Sequence, residues 1–228
     1  MDKKKINNIF YLVIALFAIL TAIFTFVEAI KSFSAMGDYG NSSFKYNSFF
    51  IIQAIILLAV TVSICLFSVK SILPILKNNE VVDNSSLIIM SYALYEVLIN
   101  IIAQCYFGFN NTARILLVIF GVITFVCLIV ERVGKLEKNY NLVLHYSSLV
   151  ALFVIIILGF VYTSGIYVVK YVFLLLTLLA IAAQLVCNYV FDNNSNNKKL
   201  EDTKVETNEE SSNNEKVEST SLNESNNQ

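Results

Sequence analysis

Tryptophan is absent from this 228-residue sequence, and proline and histidine occur once each. Charge is sparse: 14% of residues are Asp, Glu, Lys or Arg, against about 25% in ordinary soluble domains. One histidine, His145, excludes a two-histidine zinc motif. Seven glycines form no phosphate-cradling loop, and neither Gly-x-Ser-x-Gly nor a pair of intramembrane aspartates occurs. Cys65, Cys105, Cys127 and Cys187 are widely spaced, make no paired-cysteine motif and read as apolar packing residues. A net charge of −1 lacks the basic excess of a nucleic-acid binder. The expectation is therefore no enzyme activity, no cofactor, no metal and no nucleic-acid partner.

Hydrophobicity is abundant, at 57% of residues with a mean hydropathy of +0.67. A helix needs about 20 apolar residues to cross a ~30 Å hydrocarbon layer. Six stretches qualify: about 9–30, 49–71, 87–108, 113–130, 142–163 and 166–190. Lys3, Lys4 and Lys5 precede the first as in a signal peptide. Its apolar run exceeds the roughly 7–15 residues of a cleavable core, so it reads as a retained helix. The runs are too long and uniformly apolar for barrel strands, and backbone groups in hydrocarbon must bond within their own segment. Short links at 109–112 and 164–165 make helices 3–4 and 5–6 antiparallel hairpins. Pro74 falls at the exit of helix 2, outside the span, and Asn84-Ser85-Ser86 offers caps for helix 3.

Lysine and arginine near span ends favour the cytoplasmic side. With the N-terminus inside, Lys3, Lys4, Lys5, Lys70, Lys77, Arg132, Lys135, Lys138, Lys198 and Lys199 are cytoplasmic, against Lys31, Lys45, Arg114 and Lys170 outside. Residues 192–228 contain no aromatic and carry nine acids against four lysines among Asn and Ser. Such a segment cannot offset its ordering entropy by burial and reads as disordered. The predicted fold is all-α: a polytopic membrane helix bundle over 1–191 with six transmembrane helices, both termini cytoplasmic, and a disordered acidic tail over 192–228. The tripeptides at Asn41 and Asn110 fit glycosylation acceptors on the outer side.

Polar residues inside the spans are the candidate site. Tyr92, Glu96, Asn100 and Gln104 recur every four residues and fall within about 120° of helix 3, joined by Ala103. Leu94, Val97, Leu98, Ile101 and Ile102 occupy the opposite face. Glu96 lies near mid-span, where a charge costs about 2.5–3.5 kcal/mol on insertion scales, so its face should point into the bundle or a wet cavity. Lys170, Thr177, Gln184 and Asn188 form a second seam on helix 6, with Lys170 near enough to the boundary to snorkel. Thr21, Thr25, Glu28 and Ser32 form a third on helix 1, their hydroxyls suited to bonds across a helix contact and Glu28 to interfacial water or Lys31. Seams on helices 1, 3 and 6 should face one another, leaving helices 4 and 5, polar at mid-depth only at Thr124, more lipid-exposed. The candidate ligand-binding residues are Glu96, Asn100, Gln104, Tyr92, Thr21, Thr25, Lys170, Thr177 and Gln184.

Two internal matches, at shifts of 103 and 80 residues, suggest three helices repeated after three in inverted orientation, a plan found in transporters. The small-residue run Ala18-Ile19-Leu20-Thr21-Ala22, with the size and span count, resembles the substrate-capture subunits of energy-coupling-factor transporters. That resemblance implies a partner subunit docked on helix 1; the glycine and proline content of such families is lacking. The function expected is a small-solute transport component of the plasma membrane, a permease or a substrate-binding membrane subunit, with its polar site around Glu96. The competing reading is a non-transporting membrane protein that assembles with partners or with itself in the lipid bilayer. An ion channel would need a continuous polar pore, for which helices 4 and 5 are too apolar.

Overall fold

The structure, a computed structural model, describes residues 3–38, 44–78, 82–108, 112–134, 137–163 and 165–191. Six helices run through them: α1 (Lys3–Asp38), α2 (Phe44–Asn78), α3 (Ser85–Phe107), α4 (Thr112–Val133), α5 (Lys138–Tyr162) and, after a 3-10 turn at Gly165–Tyr167, α6 (Val168–Phe191). All six are long and apolar enough to cross a membrane, and no strand occurs among the described residues. The tail and the two glycosylation asparagines lie outside the described residues.

The chain divides into two compact units, residues 1–182 and 183–228, with the division inside α6. In the second unit the described part is 183–191, where Gln184 is buried and Val186, Tyr189 and Val190 are exposed. The first unit holds α1 to α5 and the start of α6. Sequence neighbours pack in turn, α1 on α2, α2 on α3, α3 on α4 and α4 on α5. Short links make each pair antiparallel. Hydrocarbon offers no hydrophobic drive between helices, so close approach depends on small residues. Ala18, Ala22 and Ala29 of α1 and Ala54 of α2 are accordingly almost fully enclosed. A side chain at Gly121 would press on Val97 of α3, and one at Gly159 would collide with the Tyr171 ring of α6. Phe24 and Phe173 stack at 5.5 Å between α1 and α6.

The helices outrun the predicted spans most at the start of the chain. α1 has 36 residues, a length of about 54 Å at 1.5 Å per residue. It must therefore tilt or project from the ~30 Å layer. α2 continues through Pro74 to Asn78 rather than ending before it. Proline there removes one backbone bond a turn before the helix stops, which is a tolerable place for it. The cap of α3 also differs from expectation. Asn84 makes no capping bond; its amide donates to Ser71 Oγ of α2 at 3.2 Å. Asp83 takes the role instead, accepting from Ser85 N at 2.9 Å and Ser85 Oγ at 2.6 Å, and its negative charge suits the helix amino terminus.

α3 is the most enclosed helix, with 56% of its apolar window buried against 28% for α2 and α4. Its outward face holds Leu94, Leu98 and Ile101, as the ladder of polar residues requires. α5 is more enclosed than α1, contrary to the expectation that helices 4 and 5 are both peripheral. The cause is Gly159, which lets α6 settle against α5.

Candidate functional site

Position on α3 brings Tyr92, Glu96, Asn100, Ala103 and Gln104 to the interior, and all five are buried. Glu96 is 2% exposed and sits at the middle of α3. Its carboxylate is held by neutral donors. Asn100 Nδ2 donates to Oε2 at 3.1 Å and to the Glu96 carbonyl at 2.8 Å. The Tyr171 hydroxyl of α6 donates to Oε1 at 3.2 Å, whereas the buried Tyr92 hydroxyl has no hydrogen-bond partner among the described residues. No cation among the described residues lies within ion-pair distance of Glu96.

The nearest cation is engaged elsewhere. Lys170, 3% exposed, donates from Nζ to Glu28 Oε2 of α1 and, at 3.3 Å, to the Tyr95 hydroxyl of α3. Tyr95 in turn donates to Glu28 Oε1 at 3.4 Å. The ammonium also lies 5.0 Å from the ring centres of both Tyr95 and Tyr171, a cation–π arrangement. This corrects two expectations: Lys170 does not snorkel, and Glu28 pairs with Lys170 instead of Lys31. A buried lysine is tolerable when a carboxylate and two aromatic faces replace its water, and a snorkelling one would strand Glu28 unpaired. Glu28 of α1, Tyr95 and Glu96 of α3, and Lys170 and Tyr171 of α6 meet in this one cluster.

A cavity of about 270 Å³ adjoins this cluster. Its lining comes from the ends of α1, α3 and α5 and the starts of α2, α4 and α6, which places it at one end of the first unit. Glu28, Glu96, Asn100, Lys170 and Tyr171 supply its polar wall; Phe49, Ile99, Ala103, Ala113 and Leu117 supply the apolar part. Half-buried Arg114 and Thr163 and exposed Tyr162 form the rim. A second recess of about 280 Å³ shares Glu28 and Thr163 and includes Lys31, whose Nζ lies 5.1 Å over the Tyr167 ring.

The remaining candidate residues are buried but are not part of the cavity wall. Thr21, Thr25 and Thr177 donate to the carbonyls of Phe17, Thr21 and Phe173 four residues back, at 2.9, 2.8 and 2.8 Å. Their hydroxyls are satisfied inside their own helices rather than across a contact, the usual alternative for Ser and Thr in a helix. Gln104 is buried beyond the cavity with its Nε2 unpartnered, and Gln184 belongs to the second unit. Ala18, Thr21 and Ala22 are at most 2% exposed. The face that resembles a docking motif is thus already covered within this chain.

Sequence reasoning left Glu28, Tyr95, Tyr171 and Arg114 out of the candidate list. Tyr95 is one residue from Glu96 and so lies about 100° away on the helix, outside the four-residue ladder. Tyr171 likewise adjoins Lys170. A signal existed: Tyr95 adjoins the buried acid and Tyr171 the buried lysine, with hydroxyls that need partners in an apolar setting.

The opposite end of the first unit is tied by polar bridges. Asn84 reaches Ser71, Arg132 donates to Ser86 at 3.2 Å, and His145 Nδ1 meets Glu131 at 3.0 and 3.1 Å. These join α2 to the α3 amino terminus, α4 to α3, and α5 to α4. One end of these helices is joined by polar bridges, while the other holds the open-sided cavity. No protein-family model, curated protein or solved structure matches this chain.

Proposed function

We propose that the chain is a small-solute transport component of the plasma membrane, a permease or the substrate-binding membrane subunit of a larger transporter, with both termini cytoplasmic. Carrying this reading is one observation: Glu96, buried halfway along α3, adjoins a cavity of about 270 Å³ instead of being packed solid. An intramembrane carboxylate used only for packing would be enclosed by neighbours without an adjoining void. Ligand pockets are mostly apolar with a few convergent polar groups, which describes this lining. Under the proposed orientation the cavity lies at the outer end and the bridged end is cytoplasmic, so a solute would enter from outside. Bond formation or cleavage by the protein is not part of the reading.

Native mass spectrometry of the full-length protein released into detergent tests it. The wild type is expected to carry a small-molecule adduct or a partner subunit. Glu96→Gln should lose the small molecule while keeping its melting temperature within a few degrees. If Glu96→Gln and Glu96→Leu leave adducts, uptake and expression unchanged, the protein is an assembly component and the transport reading fails.

A further inference from the structure

Four ionisable side chains of opposite sign line the cavity: Glu28 and Glu96, Lys170 and Arg114. Two of them neutralise each other, because Lys170 Nζ is bonded directly to Glu28. Neither of the other two makes an ion pair among the described residues, although the Lys170 charge is felt at Glu96. Glu96 is held by Asn100 and Tyr171, both uncharged. Arg114 has only the Phe107 ring, 6.0 Å from its guanidinium carbon. One acid without an ion-pair partner therefore sits deep in the wall, and one base without such a partner at the half-buried rim.

We infer that the cavity takes a small zwitterion, oriented with its ammonium at Glu96 and its anionic group at Arg114. This rests on the reading of the cavity as a solute site and names the class of solute. A lone cation would satisfy Glu96 and leave Arg114 as it is; a lone anion would do the reverse. A dipolar molecule answers both and adds no net charge to a site whose four side chains already sum to zero, which matters where charges are poorly solvated. The volume, about 270 Å³, lies just under the ~300 Å³ at which drug-sized pockets begin, so the solute is small.

Calorimetric titration of the full-length protein in lipid nanodiscs tests this with five probes: glycine, β-alanine, 4-aminobutyrate, propylamine and propionate. The zwitterions step the charge separation because the cavity will favour one span. At least one is expected to bind more than tenfold more tightly than both propylamine and propionate. Glu96→Gln and Arg114→Gln should each weaken that zwitterion at least tenfold, while Glu96→Asp and Arg114→Lys, which keep the charges, retain part of the affinity and control for folding. Zwitterions binding no better than the single-charge probes overturn the inference, and so does the absence of binding by any zwitterion. If propylamine alone binds and needs Glu96, the solute site survives and only the dipolar class falls. Loss of the solute site itself would appear instead as unchanged adducts in the mass-spectrometric comparison.

Discussion

Lys170 and Glu28 show how a single residue's behaviour depends on what it meets. By sequence, a lysine four residues into the expected 166–190 span has an easy exit to the interface. In the structure it turns inward to Glu28, Tyr95 and Tyr171. Removing one partner of a buried ion pair typically destabilises by about 3–5 kcal/mol, because the other charge is left without solvent or counter-ion. Lys170→Met is therefore expected to lower the melting temperature, read by size-exclusion chromatography after heating, and adding Glu28→Gln should recover more than half of the loss. Strictly additive losses would mean that the two side chains are not coupled. Glu96 was legible in the sequence because a carboxyl in an apolar run stands out against its neighbours. Its surroundings were not, since Tyr171 lies 75 residues away and reaches it only through helix packing.

Between elements, glycine sets the distances. Gly121 faces Val97 Cγ2, which a Cβ would approach to 2.7 Å, and Gly159 faces the ring of Tyr171. Overpacking of this kind costs roughly 1–3 kcal/mol. Gly121→Ala should lower the melting temperature, and Val97→Ala in the same chain should restore most of it, since the obstruction is a side chain. Gly159→Ala should be the more damaging of the two. It displaces Tyr171 and with it a hydrogen bond to Glu96, so melting temperature and zwitterion affinity are expected to fall together. The lengths of α1 and α2, 36 and 35 residues, contrast with 22 and 25 for α4 and α5. The suggested three-plus-three repeat is not carried in helix length.

Across the whole molecule, the cavity and the bridged end face opposite sides of any membrane the six helices cross. Ten basic residues at one set of span ends against four at the other predict that the bridged end is cytoplasmic. In a variant lacking its four cysteines, Tyr162→Cys at the cavity end and Val133→Cys at the other place exposed thiols on the two sides. A membrane-impermeant maleimide is expected to label Tyr162→Cys in intact cells and Val133→Cys only after permeabilisation; the reverse pattern would invert the topology.

Span number, the helical class and the inward face of α3 were determined by the amino-acid order alone. Each follows from hydrocarbon thickness, internal backbone bonding and a four-residue period, all local properties of one segment. Tertiary structure alone decided the partner of Lys170 and the placement of a void beside Glu96. Those outcomes depend on which helices touch and at what depth. In an apolar medium that choice is made by small residues and polar pairs distant in the chain, such as Gly159 with Tyr171 and Glu28 with Lys170.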